Sequence, residues 1–130
     1  MLGKRDPSVY GTITLAELEQ QVCAHAATYG LDVECRQSNC EGELVDILQK
    51  TDCDGVVFNA GAYSHYSYAL RDCIECISPL VVETHLSDIY AREAFRHTDV
   101  LDDVCVARYY GKGVNSYFQA VDFLAKELRK

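Results

Sequence analysis

The sequence predicts an α/β fold in which a parallel sheet carries helices on both faces, as a single domain over residues 1–130. Three observations lead there. Short apolar runs such as GVVF at 55–58 and LVVETH at 80–85 have the length and β-branched content of buried parallel strands. Between them lie stretches whose apolar residues recur at helical spacing. Strand onsets near 31, 55, 80 and 104 recur about every 25 residues, which suits βα units rather than a solenoid.

The elements follow in order. The chain opens with MLGKRDPSVYG, a polar segment containing Gly3, Pro7 and Gly11, and runs straight into a helix. A first strand is thus missing from the expected alternation. Thr14-Leu15-Ala16-Glu17 has the form of a capping box, and Leu15, Leu18, Val22, Ala26 and Tyr29 continue at helical spacing until Gly30, giving a helix over 14–29. Leu31, Val33 and Cys35 alternate as a strand does. Ser38-Asn39-Cys40-Glu41 offers a second capping signal ahead of Leu44, Val45, Ile47 and Leu48. A strand at 55–59, a helix at 66–77, a strand at 79–85, a short helix at 89–96, a strand at 104–109 and a helix at 114–129 complete the chain.

Composition narrows the function. At 130 residues one core can bury roughly two-thirds of the unfolded surface. No run approaches the roughly 18 apolar residues of a membrane helix, and the N-terminus lacks a basic-then-apolar secretion pattern, so a cytoplasmic location is expected. A net charge of -8 disfavours nucleic acid and anionic membranes as partners, so clustered arginines are expected to serve a small anion. Seven irregularly spaced cysteines fit a reducing compartment better than a disulfide framework. Cys73 and Cys76 form a single C-x-x-C, which reads either as apolar helix-face residues or as half of a redox or metal site.

In a parallel α/β sheet, ligands bind beyond the carboxyl ends of the strands. That selects Asn59 to His65 after GVVF, and His85-Leu86-Ser87 after LVVET. Glu83 and His85, two apart on a strand, leave the same face, so the carboxylate can orient the imidazole as a general acid; a purely structural pair is the competing reading. Arg92 and Arg96, four apart on the expected helix, repel unless an anion lies between them. Asp88 or Glu93 can supply it, or a substrate carboxylate can. Gly61 and Ala62 permit close approach to the backbone, and Asn59 and His65 can bond hydroxyls. Arg5 and Tyr10 lie in the opening loop. Bringing a phenol from about 10 to near 7 takes about 4 kcal/mol, which an arginine at about 4 Å supplies at intermediate dielectric. Arg5 can therefore turn Tyr10 into a base, although both residue types are common on surfaces.

Taken together, the stretches LGKRDPSVYG, NCEGELVDIL, VVFNAGAYSHYSYALRDCI and VVETHLSDIYAREAFRH resemble, in that order, the type II 3-dehydroquinate dehydratases. The C-terminal third resembles them more loosely through YYGKGVNSYFQAVDFL. The resemblance implies a flavodoxin-like fold and a hydro-lyase of shikimate or quinate metabolism, converting 3-dehydroquinate to 3-dehydroshikimate by anti elimination without metal or cofactor. It gives Tyr10 the role of tyrosinate base activated by Arg5, and His85, oriented by Glu83, that of acid. Asn59, Gly61, Ala62, His65, Leu86, Ser87 and Arg96 would bind substrate, and Arg92 would help close the opening loop as a lid. Asp72 would reach a neighbouring subunit's site in a homo-oligomer, a dodecamer built from trimers.

Members of the family usually place a strand and a Gly-Pro-Asn-Leu-Asn segment before the opening loop, and neither is found here. Ala60, Asp88 and Arg108-Tyr109-Tyr110 also depart from the pattern, the last with an expected effect on subunit packing. The missing strand motivates an alternative, a catalytically weak relative that binds ligand or assembles. A Schiff-base route to the same product is disfavoured, since Lys50, Lys112, Lys126 and Lys130 lie away from the expected strand ends.

Overall fold

The structure, a computed structural model, describes residues 2–129, and for Tyr10 the backbone alone. The side chain proposed as the base therefore lies outside the described residues. Three strands, β1 (Gly55–Phe58), β2 (Leu80–His85) and β3 (Ala107–Tyr110), form a parallel sheet in chain order. Around it stand α1 (Pro7–Tyr10), α2 (Leu15–Ala27), α3 (Glu41–Lys50), α4 (Tyr68–Cys76) and α5 (Val114–Leu128).

Strand alternation divides the core between the two faces of the sheet. Val56, Phe58 and Val81 pack with Leu48 of α3 and Leu70 and Ile74 of α4. Val57 packs with Leu18, Val22 and Ala26 of α2, while Val82 meets Ala120 and Leu124 of α5. Helices thus cover both faces, as the sequence predicts. Two-residue periodicity carries Glu83 and His85 onto the face of Val81.

The helix ends follow local chemistry. Thr14 caps α2, its hydroxyl accepting from Glu17 N at 3.2 Å and donating to Glu17 Oε1 at 3.1 Å. Buried Ser67 caps α4 through Leu70 N at 3.1 Å. The expected cap of α3 differs: Cys40 is the N-cap residue and has no side-chain cap bond, and Ser38 Oγ instead accepts from Cys40 N at 3.0 Å. A Cβ at Gly55 would lie 2.9 Å from Leu124 Cδ2, so a larger residue there would have to push the buried Leu124 side chain aside.

Three further expectations are corrected. Residues 31–38 form no strand, because a strand needs a neighbour for its N–H and C=O groups, and the sheet of the described residues ends at β1. Side chains hold this segment instead, with Leu31 on the α2/α5 cluster and Cys35 Sγ 3.8 Å from Cys23 Sγ. The helix expected at 89–96 is two 3₁₀ turns, Ile89–Ala91 and Ala94–His97, broken where Arg92 adopts an extended backbone. The third strand begins at Ala107 rather than 104, because Val104 and Cys105 are still turning, both donating to Leu101 O. No helix among the described residues is long and apolar enough to cross a membrane.

Candidate active site

The carboxyl end of β2 delivers the central pair. Glu83 and His85 are both buried, and His85 Nε2 lies 2.6 Å from Glu83 Oε2. The 3₁₀ turns after β2 lead the chain back to Asp99, whose side chain is 2% exposed. A carboxylate oxygen of Glu83, one of Asp99 and a ring nitrogen of His85 all lie within 4.8 Å of one another. Asp99 Oδ1 accepts from Leu101 N and Oδ2 from Arg108 Nη1, both at 3.0 Å. Glu83 Oε1 has no hydrogen-bond partner.

Burial dominates the electrostatics. It raises the Glu83 carboxyl well above the ordinary carboxylate range, and Asp99 adds to the rise while Arg108 opposes it. Burial also lowers His85, to about 4, with Asp99 opposing the fall and His65 and Arg108 adding to it. Burial thus favours the uncharged form of both groups. The three side chains have the composition of a cation site, but Arg108 already occupies the open side of Asp99 and His85 already occupies Glu83 Oε2, so we assign no metal ligand here.

At the same end of the sheet, a cavity of about 420 Å³ runs between Val9 and Gly11 of the opening loop, Leu86 and Ser87 after β2, and Gly111 and Gly113 after β3. Gly113 N donates to Leu86 O at 3.0 Å and Gly111 N to Ser87 O at 3.1 Å, so two adjacent strand ends make one wall. Gly111 has a φ of 78°, and a Cβ on it would meet Asp88 at 3.1 Å, so the wall requires glycine there. A second cleft of about 410 Å³ is shared by Arg5 and Val9 with Arg92 and Glu93. Arg5 and Arg92 therefore meet where the opening loop faces the 3₁₀ turns.

The arginine pair is arranged differently from the expected helix face. Arg96 Nε donates to Glu93 Oε2 at 2.7 Å, Arg92 Nε lies 3.8 Å from the same oxygen, and Arg92 Nη1 reaches Ser87 Oγ at 3.4 Å. Glu93 supplies the anion between the arginines, while Asp88 caps Tyr90 N. After β1, Asn59 Oδ1 accepts from Gly61 N and Asn59 Nδ2 donates to Tyr117 Oη, both at 2.9 Å. His65 Nδ1 lies 2.8 Å from Thr98 O, and its ring packs edge-on against Phe95. Gly61 has a φ of 58°, Ala62 is exposed, and Asp72 stands exposed on α4.

Sequence reasoning missed Asp99 and Tyr117, and it considered Arg108 only for an effect on subunit packing. Within the chain Arg108 turns inward, with a side chain 16% exposed, stacked against Tyr90 and Tyr110 and paired with Asp99. Tyr117 is held above the usual phenol range by burial, opposed by the bond from Asn59. Lys112 lies two residues past the end of β3, closer to a strand end than expected, but it is exposed and does not line the cavity. Cys73 sits in the α3/α4 core and Cys76 is exposed on α4, and both thiols are free.

Comparison with known proteins bears on this geometry. A family model described as Dehydroquinase class II matches residues 1–125. A 3-dehydroquinate dehydratase of Pelotomaculum thermopropionicum is 48% identical over 123 residues, covering 93% of this chain and 85% of its own. Its counterpart in Anoxybacillus flavithermus is 48% identical over 122 residues, covering 92% and 82%. The crystal structure of the type II dehydroquinase from Butyrivibrio crossotus superposes with a TM-score of 0.92 at 37% identity, covering 95% of this chain and 88% of that one. The corresponding structure from Propionibacterium acnes gives 0.91 at 35% identity, covering 96% and 88%. A fold, a buried acid pair at a strand end and sequence identity over nearly the whole chain converge, and the chain belongs to the class II dehydroquinase family.

Proposed function

We propose that this chain removes water from 3-dehydroquinate by anti elimination through an enolate, giving 3-dehydroshikimate. The observation that carries the reading is the buried contact between His85 and Glu83 at the carboxyl end of β2. In this reading Tyr10, its phenolate favoured by Arg5, takes the proton next to the ketone. The electron pair moves onto the carbonyl oxygen as the enolate forms, and preorganised donors lower the cost of that charge. The enolate then reforms the ketone and expels the hydroxyl, which His85 protonates.

The resting state of His85 fits this order. Glu83 occupies Nε2, leaving Nδ1 as the nitrogen for substrate. An uncharged imidazole gains affinity for a proton when negative charge arrives close by, and both the substrate carboxylate and the enolate bring it. A buried imidazolium then releases that proton readily to the departing oxygen. Arg96 would bind the substrate carboxylate, exchanging part of its contact with Glu93, and Arg92 would tie the opening loop to the 3₁₀ turns. Asn59, His65, Leu86 and Ser87 would fix the hydroxyls. No metal or organic cofactor is needed for this sequence of proton transfers. Asp72, exposed on α4, would complete a neighbour's site in a dodecamer, which a sizing column reads directly.

The purified protein given 3-dehydroquinate should generate the ultraviolet absorbance of the conjugated enone, and Tyr10→Phe should abolish it. Full activity in Tyr10→Phe would end the assignment of the base, and no absorbance from the unaltered protein would end the functional reading.

A further inference from the structure

We propose that Asp99, clamped by Arg108, is a positioning residue that shares one proton with Glu83 and so keeps the carboxyl behind His85 neutral rather than anionic. The proposal deepens the functional reading above, because it concerns the group that orients the acid.

Geometry carries the argument. Two carboxyl groups whose oxygens approach within 4.8 Å in a dry interior do not both ionise. Which one keeps the proton depends on the donors each receives. Asp99 accepts the Leu101 backbone N–H on one oxygen and the Arg108 guanidinium on the other, so both of its oxygens are already served as acceptors. Glu83 accepts only from the His85 side, on Oε2, and its fully buried Oε1 has no partner. A buried orphan oxygen is costly, and a proton placed on it becomes a donor aimed at the neighbouring carboxylate.

Of the other charged groups around Glu83, Arg108 pulls the opposite way. It lies beside Glu83 on β3 but is bonded to Asp99 and, through Nε at 3.4 Å, paired with Asp102. Asp102 disfavours a second anion, and Cys105 is itself held in its neutral thiol form by burial, with the negative groups around it adding to the effect. His85 is pushed toward its neutral form by burial and offers Glu83 no fixed positive charge, and His65 stands beyond it with Nδ1 2.8 Å from Thr98 O.

The consequence concerns acid strength. Against an anionic Glu83, an imidazolium at His85 would be stabilised as an ion pair and would hold its proton. Against a neutral carboxyl it is a stronger acid, suited to protonating a poor leaving group. Asp99 thus acts through Glu83 and does not itself touch the substrate.

The test uses protein carrying ¹³C in its glutamate carboxyls, with the Glu83 signal identified by its loss in Glu83→Gln. Near neutral pH, infrared and NMR spectra of the unaltered protein should show Glu83 as a neutral acid. In the double substitution Asp99→Ser, Arg108→Met, which removes both buried charges together, burial still favours the neutral acid but the larger contribution of Asp99 is gone, so the Glu83 titration should move downward. An ionised Glu83 in the unaltered protein, or a Glu83 titration that does not move in the double variant, would overturn the proposal. If the double variant does not fold, Asp99→Asn, which keeps the shape of the side chain, gives the same readout. None of these readouts needs turnover, so a neutral Glu83 in a protein that fails to convert 3-dehydroquinate would uphold the proposal while ending the functional reading.

Discussion

Glu83 and Arg108 are register partners on adjacent parallel strands, yet the Arg108 guanidinium reaches past Glu83 to bond Asp99 at 3.0 Å. The carboxyl nearest the His85 imidazole thereby shares the cation beside it with Asp99. Burial then acts on Glu83 and His85 in opposite senses, raising one and lowering the other, and leaves a neutral hydrogen-bonded pair at the strand end. Pairs of titratable groups driven apart in this way are a recurring basis for acid and base chemistry near neutral pH.

Replacing His85, the proposed acid, should strike turnover rather than binding. His85→Gln retains a polar group opposite Glu83 but cannot deliver a proton, so kcat should fall by about 10² to 10⁴-fold with KM changed only a few-fold. Steady-state assays of enone formation separate the two constants.

The same residue imposes a pH dependence on folding. The folded pKa of His85, about 4, lies below the ordinary histidine value near 6.5, so between them the unfolded chain binds more protons. Its contribution is present above the higher value and is lost as pH falls toward the lower, about 3 kcal/mol across that window. Urea unfolding of the unaltered protein should therefore weaken between those limits more steeply than that of His85→Gln. Parallel curves for the two proteins would show that His85 is not buried as described.

Arg96 should report on the substrate carboxylate. Arg96→Lys keeps the charge but loses the planar fork, and the Glu93 contact at 2.7 Å depends on the same group. A hydrogen bond to a charged partner is worth about 1.5 to 3 kcal/mol, so KM should rise about 10-fold or more with kcat less affected. A KM unchanged in Arg96→Lys would place the carboxylate elsewhere.

The sheet and its helices were readable because GVVF and LVVET are short apolar runs and because α2 and α5 present regular apolar stripes. Leu31, Val33 and Cys35 alternate just as well, but alternation specifies a face and not a partner, and no neighbouring strand among the described residues completes the ladder. The break at Arg92 was hidden because Ala91, Ala94 and Phe95 all suit a helix, while the side-chain contacts of Arg92 with Ser87 and Glu93 are made only in three dimensions. Glu83 and His85 were legible from their spacing of two. Asp99 was not, since it comes beside Glu83 only through the irregular return after β2. Arg108 becomes a neighbour of Glu83 only once the register of β3 is known. The arrangement of Arg5 with the Tyr10 phenol rests on the resemblance, because that side chain lies outside the described residues.

The central claim, an anti elimination begun by a phenolate and completed by His85, is tested most directly with 3-dehydroquinate carrying deuterium at the position anti to the departing hydroxyl. The account predicts 3-dehydroshikimate that has lost the deuterium, as read by mass spectrometry. Product that retains it would contradict the account and indicate removal of the hydrogen on the opposite face.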